Sequence, residues 1–214
     1  TGTYELSNTV PTLSWSTTAS FIENTDAAIV VYDANATDQE SRTLTYSLSG
    51  ADAALFDIDS STGEITFKLS PNYESPQDRY KDNVYNITVI AMDDGVFPLS
   101  ATRDVAITVT DRNEAPSVTS AQTISIDENS VINDVVYRAT VYDEDSDDIT
   151  YDLTGADAGY FTFDADSGEL IFKTPPNYET KDSYSVNITA NDGTVDSDVH
   201  AVTISVNDVN DAPV

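Results

Sequence analysis

The chain has no cysteine, one histidine (His200), one tryptophan (Trp15), one methionine, and only 9 Lys and Arg among 214 residues. Each shortage excludes something. Without Cys there are no disulfides, thiolate zinc sites or cysteine nucleophiles. A single His cannot build a multi-His metal site and leaves little room for imidazole acid–base chemistry. Few bases argue against a nucleic-acid interface, which needs clustered Lys and Arg against phosphate. No apolar run approaches the length of a membrane-spanning helix. Residues 1–20 lack a basic stretch followed by an apolar one, so no signal peptide is visible.

Acid is what the chain has in excess. Asp and Glu number 38, for a formal charge of −29. The hydrophobic fraction is 39%, with 12 Tyr and 7 Phe. That suffices for modest cores and is too evenly spread for a disordered acidic tail. The length suits one or two domains. The acid has two readings: a solvated, self-repelling surface, or carboxylates gathered to hold a hard cation.

Position along the chain separates these readings, because the chain repeats itself. Glu23-Asn24 recurs as Glu128-Asn129, and Thr45–Ala53 as Thr150–Ala158, each with the core Gly-Ala-Asp-Ala. Gly63-Glu64-Ile65 recurs as Gly168-Glu169-Leu170, and Pro71-Asn72-Tyr73-Glu74 as Pro176-Asn177-Tyr178-Glu179. The register breaks once, where the loop Ser75–Val84 is longer than Thr180–Ser183. Each repeat closes alike, with Asp111-Arg112-Asn113-Glu114-Ala115-Pro116 and Asp208-Val209-Asn210-Asp211-Ala212-Pro213. The expected division is a lead over 1–11, one repeat over 12–115 and a second over 116–214.

Within each repeat the hydrophobic period is two. Tyr85, Ile87, Val89 and Ala91 form one such row, and Val202, Ile204 and Val206 another. Rows of this kind read as half-buried strands. No segment sustains a helical period. About seven strands per repeat, separated by turn clusters such as Asp59–Gly63 and Asp164–Gly168, indicate an all-β fold of two tandem seven-stranded Greek-key β-sandwiches end to end.

Successive antiparallel strands end at opposite poles, which sorts the repeated acids. A head-to-tail tandem carries Glu23, Glu74, Asp111 and Glu114 towards Asp143, Asp145 and Asp192. Two unit charges ~4 Å apart cost about 1 kcal/mol in water and about 4 at an effective dielectric of ~20. A cation taking six to eight oxygens relieves this, and Ca²⁺ suits a flexible all-oxygen cage better than Mg²⁺.

The Glu-Asn pair, the paired Asp143 and Asp145, the Ala190-Asn191-Asp192-Gly193 run and the Asp-x-Asn-Asp/Glu-x-Pro linker resemble cadherin repeats. The Gly-Ala-Asp…Phe…Gly-Glu block and Pro-Asn-Tyr-Glu resemble the bacterial cadherin-like type found in large secreted, RTX-type surface adhesins. The resemblance covers about residues 12–213. It implies up to three Ca²⁺ at the junction. Glu23 matches the first-strand Glu, Glu74 the bidentate Glu, Asp111 the start of the linker motif and Glu114 its second acid. Asn113 matches the linker Asn, Arg112 contributes a backbone carbonyl, and Ala115 belongs to the same linker set. Asp143, Asp145 and Asp192 match the ligands of the following repeat. Asn72 stands where the family usually has Asp, which weakens one ion, and Glu114 is one methylene longer than the usual Asp. The family's Gly-x-Asn carbonyl ligand is not recognisable after Asp145, where Asp147 or Asp148 could substitute.

The outer poles differ. Glu128, Glu179, Asp208 and Asp211 make a half-site that expects a further repeat downstream. Asp38, Glu40 and Asp93 make another, but Leu6–Pro11 brings no acid to it, so an N-terminal neighbour is expected to join without a full calcium junction. Asp147, Asp148, Asp164 and Asp166 read as turn residues and His200 as strand surface. Trp15 reads as core packing or as a contact surface. Asn35, Asn86 and Asn187 stand in weak glycosylation sequons. The Asp pairs fit ion ligands better than a glycosidase, so no enzyme is expected. The expected protein is extracellular and on the cell surface. It is a calcium-rigidified adhesin segment capable of calcium-dependent homodimerisation, without nucleic acid or membrane insertion. Passive spacer repeats and a carbohydrate-binding module are the alternatives.

Overall fold

The computed structural model describes residues 8–131 and 134–210. The chain divides into two compact units, 1–112 and 113–214.

In the first unit the strands are β1 (Thr12–Leu13), β2 (Thr18–Ile22), β3 (Val30–Asp33), β4 (Ala36–Thr37), β5 (Leu44–Ser49), β6 (Phe56–Ile58), β7 (Glu64–Phe67), β8 (Val84–Asp93) and β9 (Ser100–Thr110). They form a four-stranded sheet, β2-β9-β8-β5, and a three-stranded sheet, β3-β7-β6, with β1 paired to β4. The first strand changes partner part-way: β1 runs antiparallel to β4 and β2 parallel to β9. Counting each interrupted strand once (β1 with β2, β3 with β4) leaves the seven that the periodicity predicts.

The second unit repeats this plan with β10 (Ser117–Val118), β11 (Thr123–Asp127), β12 (Tyr137–Arg138), β13 (Val141–Tyr142), β14 (Thr150–Thr154), β15 (Phe161–Asp164), β16 (Glu169–Phe172), β17 (Ser183–Asn191) and β18 (His200–Asn207). Its sheets are β11-β18-β17-β14 and β12-β16-β15, with β10 paired to β13.

Alternation builds each core. Along β8, Tyr85, Ile87, Val89 and Ala91 are buried while Asn86 and Met92 face out. Val186, Ile188 and Ala190 do the same along β17. Facing them are aromatic triads of matching geometry. Phe56 and Phe67 lie 4.4 Å apart with Tyr85 edge-on at 5.2 Å from Phe67; Phe161 and Phe172 lie 4.4 Å apart with Tyr184 at 5.0 Å from Phe172. Offset and edge contacts suit the ring quadrupoles. Trp15 is core packing, buried between β1 and β2. The Arg103 guanidinium stacks 5.7 Å from its ring and donates to its carbonyl.

The Gly-Ala-Asp motif closes each sandwich. Gly50 and Gly155 have φ of 107° and 103°, and a Cβ there would meet backbone of the neighbouring strand at 3.0 and 3.1 Å. Only glycine fits. Two residues on, the Asp52 carboxylate accepts from the N–H groups of Asn86 at 2.7 Å and Arg79 at 2.8 Å. Asp157 accepts from Ser185 N–H at 2.8 Å and pairs with Lys181 at 3.0 Å. The first unit's longer loop has its own centre: buried Asp78 accepts from the N–H groups of Tyr80, Asp82 and Asn83.

Candidate metal centre

Each unit carries acids at both ends of its four-stranded sheet. In the first unit, Glu23 follows β2 and lies beside the C-terminal end of β9, where its N–H donates to the Thr110 carbonyl at 3.1 Å. Asp93 ends β8 near the start of β9. An 11-residue strand separates these ends, about 35 Å at ~3.4 Å per residue.

At the Glu23 end, the carboxylate is fully buried. Its Oε1 accepts from Arg112 N–H at 2.9 Å and its Oε2 from Tyr73 N–H at 2.6 Å. One side chain thus ties the start of the linker to the Pro-Asn-Tyr-Glu loop. Asn24 has φ of 53°, a conformation that Asn tolerates well, which explains the Glu-Asn pairing. Its N–H donates to the Pro71 carbonyl at 2.9 Å. An oxygen of Glu74 comes within 4.8 Å of one on Glu23 and of one on Asp111. Asn72 does local work: its Oδ1 accepts from Ser75 N–H at 2.6 Å and turns the loop that presents Glu74.

The second unit's corresponding end is built alike. Glu128 Oε1 accepts from Val209 N–H at 2.9 Å and Oε2 from Tyr178 N–H at 3.0 Å. Those two donors outweigh burial and hold its carboxyl below the ordinary range. Oxygens of Glu128, Glu179 and Asp208 lie within 4.8 Å of one another. Asp211 lies outside the described residues.

At its other end, the second unit gathers Asn113, Glu114, Asp143, Asp145, Asp147 and Asp192. Asn113 Nδ2 donates to Asp192 Oδ2 at 2.8 Å, and Glu114 N–H to Asp145 Oδ2 at 2.8 Å. Asp147 N–H donates to Asp143 Oδ1 at 3.2 Å. Asp192 Oδ1 accepts from Thr194 and Val195, both at 2.6 Å. Backbone donors therefore hold Asp143 and Asp145 through one oxygen each, while Asp192 is held through both. The remaining oxygens of the pair, Asp143 Oδ2 and Asp145 Oδ1, are buried with no hydrogen-bond partner among the described residues. Oxygens of Asp143, Asp145 and Asp147 approach within 4.8 Å of one another. Burial, then the charges of Asp143, Asp145, Asp192 and Asp148, push the Asp147 carboxyl up. Asp147 thus belongs to the acidic group, where the sequence reads it as a turn residue that could substitute for a missing ligand.

Buried carboxylate oxygens without donors are costly. A hard, oxygen-seeking cation fits this donor set: carboxylates, an amide oxygen, backbone carbonyls, no sulfur or imidazole. Ala115 and the Arg112 carbonyl add only backbone.

The same end of the first unit has Asp38, Glu40 and Asp93, joined by Asn8, Thr9 and Arg42. His200 begins β18 and lies apart from every acidic group described above among the described residues.

A family profile described as Cadherin domain matches residues 17–110 and 122–207. Protocadherin Fat 4 of Mus musculus is 30% identical over 174 residues, covering 78% of this chain and 3% of its own length. Human protocadherin-24 EC1-2 superposes with a TM-score of 0.66 at 22% identity, covering 94% of this chain and 99% of that chain. Drosophila N-cadherin EC1-4 gives a TM-score of 0.68 at 21% identity, covering 94% and 50%. At those identities the structural likeness speaks for the fold. The chain spans a small part of the length of the curated relatives it matches.

Proposed function

This chain belongs to the cadherin family, and on that premise we propose that it is a Ca²⁺-binding tandem of an extracellular, cell-surface adhesion protein, stiffened where its units join. The ligand sets adjoin the covalent step from Arg112 to Asn113. Glu23, Asn72, Glu74, Asp111 and the Arg112 carbonyl precede it in structure or sequence. Asn113, Glu114, Ala115, Asp143, Asp145 and Asp192 belong to the unit that follows. These residues would hold up to three Ca²⁺ between them. Bound Ca²⁺ supplies positive charge and six to eight oxygen bonds.

The protein's own residues prepare for this. Glu23 holds the linker start against the Tyr73 loop, and Asn72 shapes the turn carrying Glu74. Asn113 orients Asp192, and the Glu114 N–H orients Asp145. The observation that carries the reading is the pair of buried, donorless oxygens on Asp143 and Asp145. No enzymatic role is proposed. The bacterial-adhesin provenance rests on the Gly-Ala-Asp and Pro-Asn-Tyr-Glu blocks alone.

The test is calorimetric titration with Ca²⁺ and small-angle scattering in Ca²⁺ and in EDTA. Saturable binding with a stiffer, longer particle in Ca²⁺ is expected. Identical dimensions in both would sink the idea. Self-association is the finer reading, supported by Val96 and Phe97, 75% and 80% exposed on the hairpin between β8 and β9. Sedimentation at rising concentration in Ca²⁺ should show dimers; a strict monomer would leave a spacer. A carbohydrate-binding role draws no support from Trp15, which is buried.

A further inference from the structure

The first unit's longer loop, Ser75–Val84, is anchored along its length. Gln77 N–H donates to the Tyr85 hydroxyl at 3.2 Å and Arg79 N–H to Asp52 Oδ1 at 2.8 Å. Asp78, fully buried, gathers the N–H groups of Tyr80, Asp82 and Asn83 at 2.9, 3.2 and 3.1 Å. The last of these fixes Asn83, which is buried and has φ of 62°, a conformation that Asn tolerates. The Asn83 carbonyl accepts from Val109 N–H of β9 at 2.9 Å. Both backbone groups of Asn83 are thus held, and its side chain projects from a fixed point.

That side chain reaches the loop carrying Glu74. Asn83 Nδ2 donates to the Tyr73 carbonyl at 2.9 Å. A carbonyl only accepts, which fixes the way the amide faces. Tyr73 N–H in turn donates to Glu23 Oε2 at 2.6 Å. Tyr73 is therefore gripped by both of its backbone groups, and the next residue is Glu74. The second unit cannot make this contact from the same position. Its Val206 N–H donates to the Asp182 carbonyl at 2.8 Å, as Val109 N–H does to Asn83, so Asp182 stands in Asn83's place. Asp182 is exposed, and its carboxylate has no N–H to give. The second unit closes its own Pro-Asn-Tyr-Glu loop from within. The Asn177 carbonyl accepts from Lys181 N–H at 2.9 Å, and Asn177 Oδ1 from Thr180 N–H at 2.8 Å.

Given the Ca²⁺ binding proposed above, on which this rests, we infer that Asn83 is a positioning residue of the candidate metal centre: through the Tyr73 carbonyl it sets the loop that presents Glu74 before any ion binds. Its amide acts on the Tyr73 peptide and not on the ion. Ordering a loop on binding costs conformational entropy, and a loop held beforehand spares that cost. Groups that orient metal ligands change affinity about 10–100-fold when removed. The longer loop of the first unit thus tunes Ca²⁺ affinity through Asn83, whereas a local turn presents Glu179.

The whole 214-residue chain serves for the test. Asn83→Gly keeps the left-handed backbone and removes the amide. Asn83→Asp keeps the shape and replaces the donor by an acceptor. Both should weaken Ca²⁺ binding at one site or more by about 10-fold or more, read by calorimetric titration; unchanged affinity would overturn the inference. Tighter binding by Asn83→Asp would also overturn it, because an added carboxylate improves a direct ligand and not a positioning donor. In EDTA the Tyr73 amide should exchange its hydrogen several-fold faster in Asn83→Gly than in wild type; equal exchange would mean that Asn83 does not hold the loop. Ile65→Val trims the buried first core without removing any hydrogen bond of the loop, and should leave Ca²⁺ affinity unchanged. An equal loss there would reduce the effect of Asn83 to general stability and overturn its positioning role. A wild-type chain that bound no Ca²⁺ would end the proposed function and this role together. Variants binding as tightly as a wild type that does bind would end this role alone.

Discussion

The Arg112 N–H donates to Glu23 Oε1 at 2.9 Å across 89 residues of sequence, and the Val209 N–H donates to Glu128 Oε1 at the same distance. In both units a buried glutamate just after the first strand fixes where the last strand hands over to the linker. The glutamate is thus part of the fold before it is part of any ion site. Glu23→Gln keeps the shape and replaces one acceptor oxygen by an N–H₂ group facing a backbone donor. The expected cost is about 1–3 kcal/mol in EDTA, read from urea denaturation. A variant as stable as wild type in EDTA would reduce Glu23 to a ligand only.

Asp143 and Asp145 behave oppositely. Their donorless oxygens repel each other without a cation, so Asp143→Asn should raise the melting midpoint in EDTA and lower it in Ca²⁺. Relief of one like-charge contact is worth about 1 kcal/mol at solvent-like dielectric. Differential scanning calorimetry in the two buffers checks the crossing of sign.

Ca²⁺ itself should stabilise the wild-type chain by mass action. At free Ca²⁺ a thousandfold above Kd, one site contributes about 4 kcal/mol. Midpoints should climb with the logarithm of Ca²⁺ concentration and fall back on adding EDTA. Mg²⁺ at equal concentration should do much less.

Asp78 gives a pH prediction away from any ion. Burial pushes its carboxyl up, but the N–H groups of Asp82, Tyr80, Asn83 and Lys81 outweigh burial and hold it below the ordinary range. A carboxyl depressed in the folded state contributes stability that is present above the unfolded value, ~3.9. That contribution is lost as pH falls through the lower folded value. Asp78→Ala should cost about 2–3 kcal/mol at pH 7. Urea midpoints of wild type and variant should converge below pH 4.

Leu170 is fully buried in β16 against the second core. Leu170→Ala should cost about 2–5 kcal/mol. Hydrogen exchange should show the loss in residues 117–207.

Much of this was legible in the sequence. The period-two rows of β8, β9, β17 and β18 are long and β-branched, so strand and face follow from alternation. The repeated acids stand out because each recurs in order with its neighbours. The interruptions in the first and second strands were not legible, since two-residue segments such as β1 and β10 carry no period. Asp147 reads first as a turn residue because its neighbours are polar, and the structure places it among the acids through its backbone bond to Asp143 and the approach of its carboxylate to those of Asp143 and Asp145.

The amino-acid sequence by itself determined that the protein is a tandem of two all-β repeats without thiol or imidazole chemistry, with acids at fixed stations. Composition excludes those chemistries outright, and local alternation dictates which face of a strand is buried. Only the tertiary structure decided what each acid does. Glu23, Asp78 and Asp143 are all carboxylates whose neighbours along the chain do not set their roles apart. Their roles diverge because long-range folding supplies backbone donors to both oxygens of Glu23, encloses Asp78 in N–H groups, and leaves one oxygen of Asp143 buried without any. The count of donors around a carboxylate depends on chain segments distant in sequence, and no reading of neighbours along the chain contains it.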